Sequence, residues 1–164
     1  MTRRHFLSLS AATALIGGLA LMRGRRDAAV AAEFEVTRTD AEWKALLPAD
    51  AYKVLRHEAT EYAGSSPLNQ EKRKGVFHCA GCDLPLYPSE TKYESGTGWP
   101  SFWDSLPGAI GTKEDNTLFM SRTECHCRRC GGHLGHIFDD GPPPTGKRHC
   151  LNGVALNFRP ASGA

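Results

Sequence analysis

The sequence has no low-complexity tract, no internal repeat, and no apolar run reaching the roughly 18 residues that a membrane span needs without polar interruption. Intrinsic disorder, collagen-like and solenoid architectures, and polytopic membrane proteins are thereby excluded. It also lacks a dominant charge. Lys and Arg total 20 against 18 Asp and Glu. The first 32 residues hold five Arg and one Asp, a balance of +4, so the net +2 of the chain leaves the remainder at −2. Nothing here steers a polyanion, and nucleic acid is not an expected partner. What remains is a chain of 164 residues with 17 Gly, 10 Pro and 6 Cys, the size of one globular domain.

Residues 1–32 read as a targeting segment. Arg3 and Arg4 precede a weakly apolar stretch from Phe6 to Met22, diluted by Ser8, Ser10, Thr13, Gly17 and Gly18. The pattern is that of a twin-arginine export signal, with Ala29 and Ala31 as an A-x-A processing site and cleavage expected near residue 31 or 32. The domain proper is then 33–164, exported and most simply periplasmic. An uncleaved signal would instead leave a membrane anchor. Twin-arginine export carries folded proteins, so a metal would be acquired before transport.

Thr39-Asp40-Ala41-Glu42 is a capping box, followed by Trp43, Leu46 and Leu47 as one apolar stripe before Pro48. A second helix is expected over 49–61, with Tyr52, Val54 and Leu55 as its apolar content, until Gly64-Ser65-Ser66-Pro67 breaks the chain. From Gly75 the character changes. Short runs at 76–78, 84–87, 117–123, 133–138, 148–151 and 154–158 alternate with Gly, Pro, Asp and Asn, an antiparallel β pattern. No helix-length apolar period separates them, which argues against parallel βαβ crossovers. Lys72-Arg73-Lys74 and Arg128-Arg129 read as solvated charge.

Cys79-Ala80-Gly81-Cys82 and Cys127-Arg128-Arg129-Cys130 are two CxxC pairs, 44 residues apart. Two such knuckles facing each other make a closed tetrahedral zinc site, structural because four protein ligands leave no position for a catalytic water. A redox CxxC would open a helix, which Asp83-Leu84-Pro85 and Gly131-Gly132 do not supply. The competing reading is a disulfide framework, since an exported chain with six Cys could form three bridges. His126 and Cys125 lie beside Cys127 but neither keeps the two-residue spacing.

Arg148-His149-Cys150-Leu151-Asn152 places Arg148, Cys150 and Asn152 on one face of a strand. A nearby guanidinium lowers a thiol pKa, and Asn152 offers an amide donor to a bound group. A lone strand Cys is otherwise a small hydrophobe. His133 and His136 are three apart and would face opposite sides of a regular strand, but a bulge at Gly135 would bring both imidazoles to one face, where they could organise a proton. Asp140, in the turn signal Asp139-Asp140-Gly141-Pro142, could orient an imidazole. The Gly-rich turn 96–103 carries Trp99 and Trp103 and is not a dinucleotide loop, since the third Gly is missing. A Trp beside a nucleophile makes a wall for a small apolar group such as a methyl.

CxxC at 79 and 82, SGTGWPSF at 95–102, CxxC at 127 and 130, HLGHIFDDGP at 133–142 and RHCLNGVAL at 148–156 occur in this order. Together they resemble the methionine-R-sulfoxide reductases of the MsrB type, over residues 38–159. The resemblance implies a mainly β fold of two small antiparallel sheets with short N-terminal helices, one structural zinc per chain, no organic cofactor, and reduction of the R epimer of methionine sulfoxide in proteins. Cys150 then matches the nucleophile, Trp99 the wall against the substrate methyl, and His133 and His136 the imidazoles around the sulfoxide oxygen. Arg148, Asp140 and Asn152 match the supporting residues. A monomer is expected, with a thioredoxin-like thiol donor as partner.

One position departs from the family pattern. Where many members carry a second Cys that attacks the sulfenic acid, this sequence has Thr97. Cys125 is the only unassigned thiol and is the candidate resolving residue within the chain. Two other readings compete: a glutathione-handling lyase on a related zinc-containing scaffold, and a non-enzymatic zinc-ribbon binding module. The lyase does not explain RHCLN, HLGH and GWPSF together, and the ribbon has no need of Cys150.

Overall fold

Helix formation begins where the sequence supplies its own cap. In a computed structural model that describes residues 34–117 and 121–162, Thr39 accepts from the Glu42 amide while the Glu42 carboxylate accepts from the Thr39 amide, closing the capping box ahead of α1 (Asp40–Leu46). Trp43 and Leu47 are buried, but Leu46 is 53% exposed, so the apolar stripe is narrower than the sequence suggests. The targeting segment lies outside the described residues. Among those described, no helix is long and apolar enough to cross a membrane.

Helix α2 (Ala49–His57) buries Ala51, Val54 and Leu55. It stops four residues short of the expected Glu61. Glu58 adopts a left-handed conformation (φ 55°), its amide donating to Val54 O and that of Ala59 to Lys53 O, a Schellman-type closure. Good helix formers at 58–61 are thus overridden. The chain they form is needed beside the site, as described below.

Nine strands follow among the described residues: β1 (Gly75–Cys79), β2 (Pro85–Pro88), β3 (Lys92–Tyr93), β4 (Ser101–Phe102), β5 (Ile110–Asp115), β6 (Arg122–Cys127), β7 (His133–Phe138), β8 (Arg148–Leu151) and β9 (Leu156–Pro160). They form a three-stranded sheet, β2-β1-β9, and a six-stranded sheet, β3-β4-β8-β7-β6-β5. Every pairing is antiparallel. Among the described residues the fold is therefore mainly β with two antiparallel sheets and two short helices, as expected.

Two boundaries differ from expectation. Of the strand expected at 117–123, residues 118–120 lie outside the described residues, Thr117 is outside the strands, and Arg122 and Thr123 open β6. The sequence conceals β5 because Ile110–Asp115 is a polar edge strand, half of it exposed and, among the described residues, paired only with β6. Near the C-terminus, Gly153–Ala155 is a 3-10 turn, so β9 begins only at Leu156.

The core holds an aromatic cluster of Phe77, Tyr87 and Phe102, with ring centroids 5.0 and 4.6 Å apart for the Phe77–Phe102 and Tyr87–Phe102 pairs. Leu134, Leu151 and Leu156 pack with it, as do Val54 and Leu55 from α2. Burying each such side chain contributes roughly 1.5–3 kcal/mol.

Candidate active site and metal centre

The two CxxC segments fold into matching knuckles at the ends of β1 and β6. The Asp83 amide donates to Cys79 O (2.8 Å) and the Gly131 amide to Cys127 O (2.9 Å). In turn the Cys79 amide donates to Leu84 O and the Cys127 amide to Gly132 O, both at 2.9 Å. Each turn needs a left-handed residue in the same place, supplied by Asp83 (φ 61°) and Gly131 (φ 66°). The four sulfurs of Cys79, Cys82, Cys127 and Cys130 lie within 4.8 Å of one another. Cys79 and Cys130 sulfurs are 3.7 Å apart, Cys82 and Cys127 sulfurs 3.5 Å.

Zn–S bonds of about 2.3 Å in a tetrahedron give edges of about 3.8 Å, so the donor set fits a tetrahedral ion. A disulfide would need about 2.05 Å, and all six cysteines are free thiols. The spacing therefore favours a metal site over the disulfide framework. Arg129, expected in solvent, is half-buried and reaches Cys82 O at 3.5 Å; Arg56 reaches Cys130 O at 3.1 Å.

Strand register assembles the second site. Directly paired residues share a face of an antiparallel sheet. Cys150 pairs with His136, and His136 with Glu124, which pairs with Lys113. Two residues along, Arg148 pairs with Phe138, and Asp115 with Arg122. One face of the six-stranded sheet thus carries the chemistry. The opposite face, with Cys125, Gly135 and Leu151 in one row, belongs to the core.

The predicted bulge is present. Cys125 pairs with Gly135 but His126 with His133, so β7 carries Leu134 as an extra residue and both imidazoles reach the same neighbourhood. Their ring centroids are 5.4 Å apart. Gly135 is required by proximity: a Cβ there would lie 2.0 Å from the Cys150 carbonyl oxygen.

Cys150 lines a cavity of about 180 Å³ with Trp99, Thr60, His136, Arg122 and Phe138. The Trp99 indole donates to Glu61 O (3.1 Å), which fixes the ring as a wall. Glu61 itself is fixed by the chain that follows α2. Its amide donates to Asn152 Oδ1 (2.9 Å), and its carboxylate accepts from the Gly153 and Val154 amides (2.5 and 3.1 Å). Asn152 Nδ2 donates to Leu134 O (3.1 Å). The amide oxygen and one of its two N–H groups are thus engaged by the protein, so Asn152 ties the Glu61 segment to β7, and it also lines the cavity.

The imidazoles are oriented by carboxylates that the sequence did not single out. His133 Nδ1 donates to Glu124 Oε1 (2.7 Å), and His136 Nε2 donates to Asp115 Oδ2 (2.7 Å). Asp115 also accepts from Arg122 Nη2 (2.6 Å) and from the hydroxyl and amide of Thr117. Asp140, expected to orient an imidazole, instead forms a two-point ion pair with Arg148 at 2.9 and 2.8 Å. His133 is buried and its Nε2 has no partner among the described residues.

Burial sets the electrostatics of the site. It pushes the Cys150 thiol above its ordinary value, against smaller lowering influences from Thr97 and Arg148. The activation expected from Arg148 alone is therefore outweighed, the more so because its charge is shared with Asp140. Burial also pushes His136 down, opposed by its bond to Asp115. Glu124 is raised by burial, yet hydrogen bonds from His126, His133 and Lys113 together hold it well below the carboxylate range. Cys125 is fully buried against the Tyr87 hydroxyl (3.3 Å), and burial pushes its thiol up to about 12.

A half-buried thiol in a small cavity, an aromatic wall and carboxylate-oriented imidazoles, on a two-sheet scaffold with a four-cysteine cluster, define a thiol-dependent enzyme. The chain belongs to the SelR domain family, whose profile matches residues 47–160. It is 50% identical over 129 residues to the peptide methionine sulfoxide reductase MsrB of Methanosarcina barkeri (strain Fusaro / DSM 804), covering 78% of this chain and 91% of that protein. Peptide methionine sulfoxide reductase MsrB of Pseudomonas putida (strain W619) is 47% identical over 131 residues, covering 79% and 98%. That of Agrobacterium fabrum (strain C58 / ATCC 33970) is 46% identical over 127 residues, covering 77% and 94%.

Proposed function

We propose that the chain reduces the R epimer of methionine sulfoxide in exported proteins, with Cys150 as nucleophile. The observation that carries this reading is the register of β7 and β8, which sets His136 beside Cys150 in a cavity walled by Trp99. The substrate methyl rests on the indole. The Cys150 thiolate attacks the sulfoxide sulfur while an imidazolium protonates the oxygen, giving a transient S–S-bonded adduct; passage of its hydroxyl from the substrate sulfur to the Cys150 sulfur breaks the S–O and S–S bonds and releases methionine. Because Asp115 holds Nε2–H of His136, its transferable proton sits on Nδ1. Because Glu124 holds Nδ1–H of His133, the free nitrogen is Nε2, the atom without a partner. In sum, methionine sulfoxide plus the Cys150 thiol give methionine plus a sulfenic acid on Cys150: the oxygen moves between sulfurs and two electrons pass from cysteine to substrate.

Regeneration falls to an external thioredoxin-like donor. Cys125 lies on the opposite face of the sheet from Cys150, fully buried and with its thiol raised, which disfavours the resolving role. Zinc, held by Cys79, Cys82, Cys127 and Cys130, supplies structure and no chemistry to the reaction. Residues 1–32 direct export by the twin-arginine route, a reading that rests on Arg3-Arg4 and the A-x-A site.

A single turnover without reductant tests the proposal. Wild type should yield methionine from the R epimer alone and carry one added oxygen on Cys150, trappable by dimedone, in Cys125→Ser as well. Cys150→Ser should yield none. Turnover of both epimers, or by Cys150→Ser, overturns the assignment, and a Cys125–Cys150 disulfide overturns external regeneration.

A further inference from the structure

Thr97, standing where a second thiol is found in many relatives of this type, approaches the nucleophile with a hydroxyl. Its Oγ1 is 3.9 Å from Cys150 Sγ, within range for a sulfur hydrogen bond. Behind it stands a chain of hydroxyls. Thr97 Oγ1 is 2.9 Å from Ser95 Oγ, Ser95 Oγ is 2.7 Å from Ser101 Oγ, and Ser101 Oγ donates to Trp99 O at 3.2 Å. Ser101 is fully buried and pairs directly with Cys150 between β4 and β8. The loop that bears Thr97 is fastened at Gly98 O, which accepts from the Gly64 amide (2.7 Å) and from Asn69 Nδ2 (2.9 Å).

We propose that Thr97, Ser95 and Ser101 form a reversible hydroxyl chain that satisfies Cys150 first as a thiol and then as a thiolate. Each hydroxyl has one proton to donate and can also accept, so the chain can run in either of two directions. With a thiol, Cys150 donates to Thr97, Thr97 to Ser95, Ser95 to Ser101 and Ser101 to Trp99 O. With a thiolate, every link turns round: Thr97 donates to the sulfur, Ser95 to Thr97 and Ser101 to Ser95. The exchange needs only rotation of three hydroxyls, and the Trp99 carbonyl gives up its donor.

The need for such a chain follows from the other groups facing Cys150. Arg148 is held by Asp140, His136 is kept toward its neutral form by burial, Arg122 is held by Asp115, and Tyr93 brings a phenol. Among the described residues no unshared cation faces the sulfur, and the Thr97 hydroxyl opposes the effect of burial there together with Arg148. Thr97 touches the reacting atom; Ser95 and Ser101 are positioning residues. The inference rests on Cys150 being the nucleophile.

The test is the pH dependence of Cys150 alkylation by iodoacetamide in the full, metal-bound chain, read by mass spectrometry on the peptide containing Cys150. Thr97→Val, which keeps the shape and removes the hydroxyl, should move the midpoint up by about one pH unit and slow alkylation near neutrality roughly tenfold. Thr97→Ser should restore the wild-type profile, and Ser101→Ala should move the midpoint the same way by less. A wild-type profile in Thr97→Val overturns the chain, as does an equal shift in Thr97→Ser and Thr97→Val, which would assign the effect to lost packing. Alkylation needs no sulfoxide, so failure here is distinct from turnover by Cys150→Ser, which would instead remove the reductase reading.

Discussion

Cys150 and His136 are displaced in opposite directions by the same burial, thiol up and imidazole down. The proposed reacting pair, thiolate with imidazolium, therefore carries one proton in the disfavoured arrangement. Its population is constant between the two pKa values. It falls in acid, where the thiolate is lost, and in alkali, where the imidazolium is lost. The rate should thus show a plateau, with an acid limb below the ordinary histidine value of 6.5 and an alkaline limb above the ordinary thiol value of 9.0. Asp115 opposes the fall in the His136 pKa, so Asp115→Asn should move the acid limb to lower pH and depress the plateau, by roughly 10². A kcat/KM profile of Asp115→Asn with an unmoved acid limb would reject this coupling. Cys150, His133, His136 and Trp99 are legible in the sequence because their residue types carry rare chemistry at motif spacing. Asp115 and Glu124 are not, because a carboxylate in a polar run such as Ile110–Asp115 looks like solvated charge until pairing folds it over an imidazole.

Strand β7 does more than supply two histidines. Its extra residue at Leu134 shifts the phase of the strand, and the absence of a side chain at Gly135 admits the backbone of β8. A methyl group at Gly135 would meet the Cys150 carbonyl, a backbone atom that cannot move aside without opening the pairing that positions Cys150. Gly135→Ala should therefore cost about 2–4 kcal/mol of stability by urea denaturation, with metal content unchanged. A loss within 0.5 kcal/mol, the range of an ordinary surface change, would show that the strands can part freely. The bulge was legible because two histidines three apart demanded a change of phase. The early end of α2 at Glu58 was not, since residues 58–61 have ordinary helix propensity. Their course is decided by Asn152 and the 3-10 turn Gly153–Ala155, nearly 100 residues away in sequence, which engage Glu61.

Across the whole molecule, the cysteine cluster joins the sheets. Cys79 ends β1 of the three-stranded sheet, and Cys127 ends β6 of the six-stranded one. A metal bound by both knuckles adds its binding energy to folding. Stripping the metal with a strong chelator should lower stability by about 5 kcal/mol or more, read as a lower thermal midpoint, with amide exchange rising first at Cys79 and Cys127. An unchanged midpoint in metal-free protein would show that the sheets hold together without it. The sequence by itself determined the capped first helix, the antiparallel β character, the paired CxxC ligands and the thiol with its two imidazoles. Each of these is written in local spacing or in residue chemistry. Only the tertiary structure decided that Cys125 faces the core, that Asp140 serves Arg148, that Asp115 and Glu124 orient the imidazoles, and that Thr97 meets Cys150. These are matters of which strand lies beside which and in what register, and long-range pairing leaves no periodic trace in a single sequence.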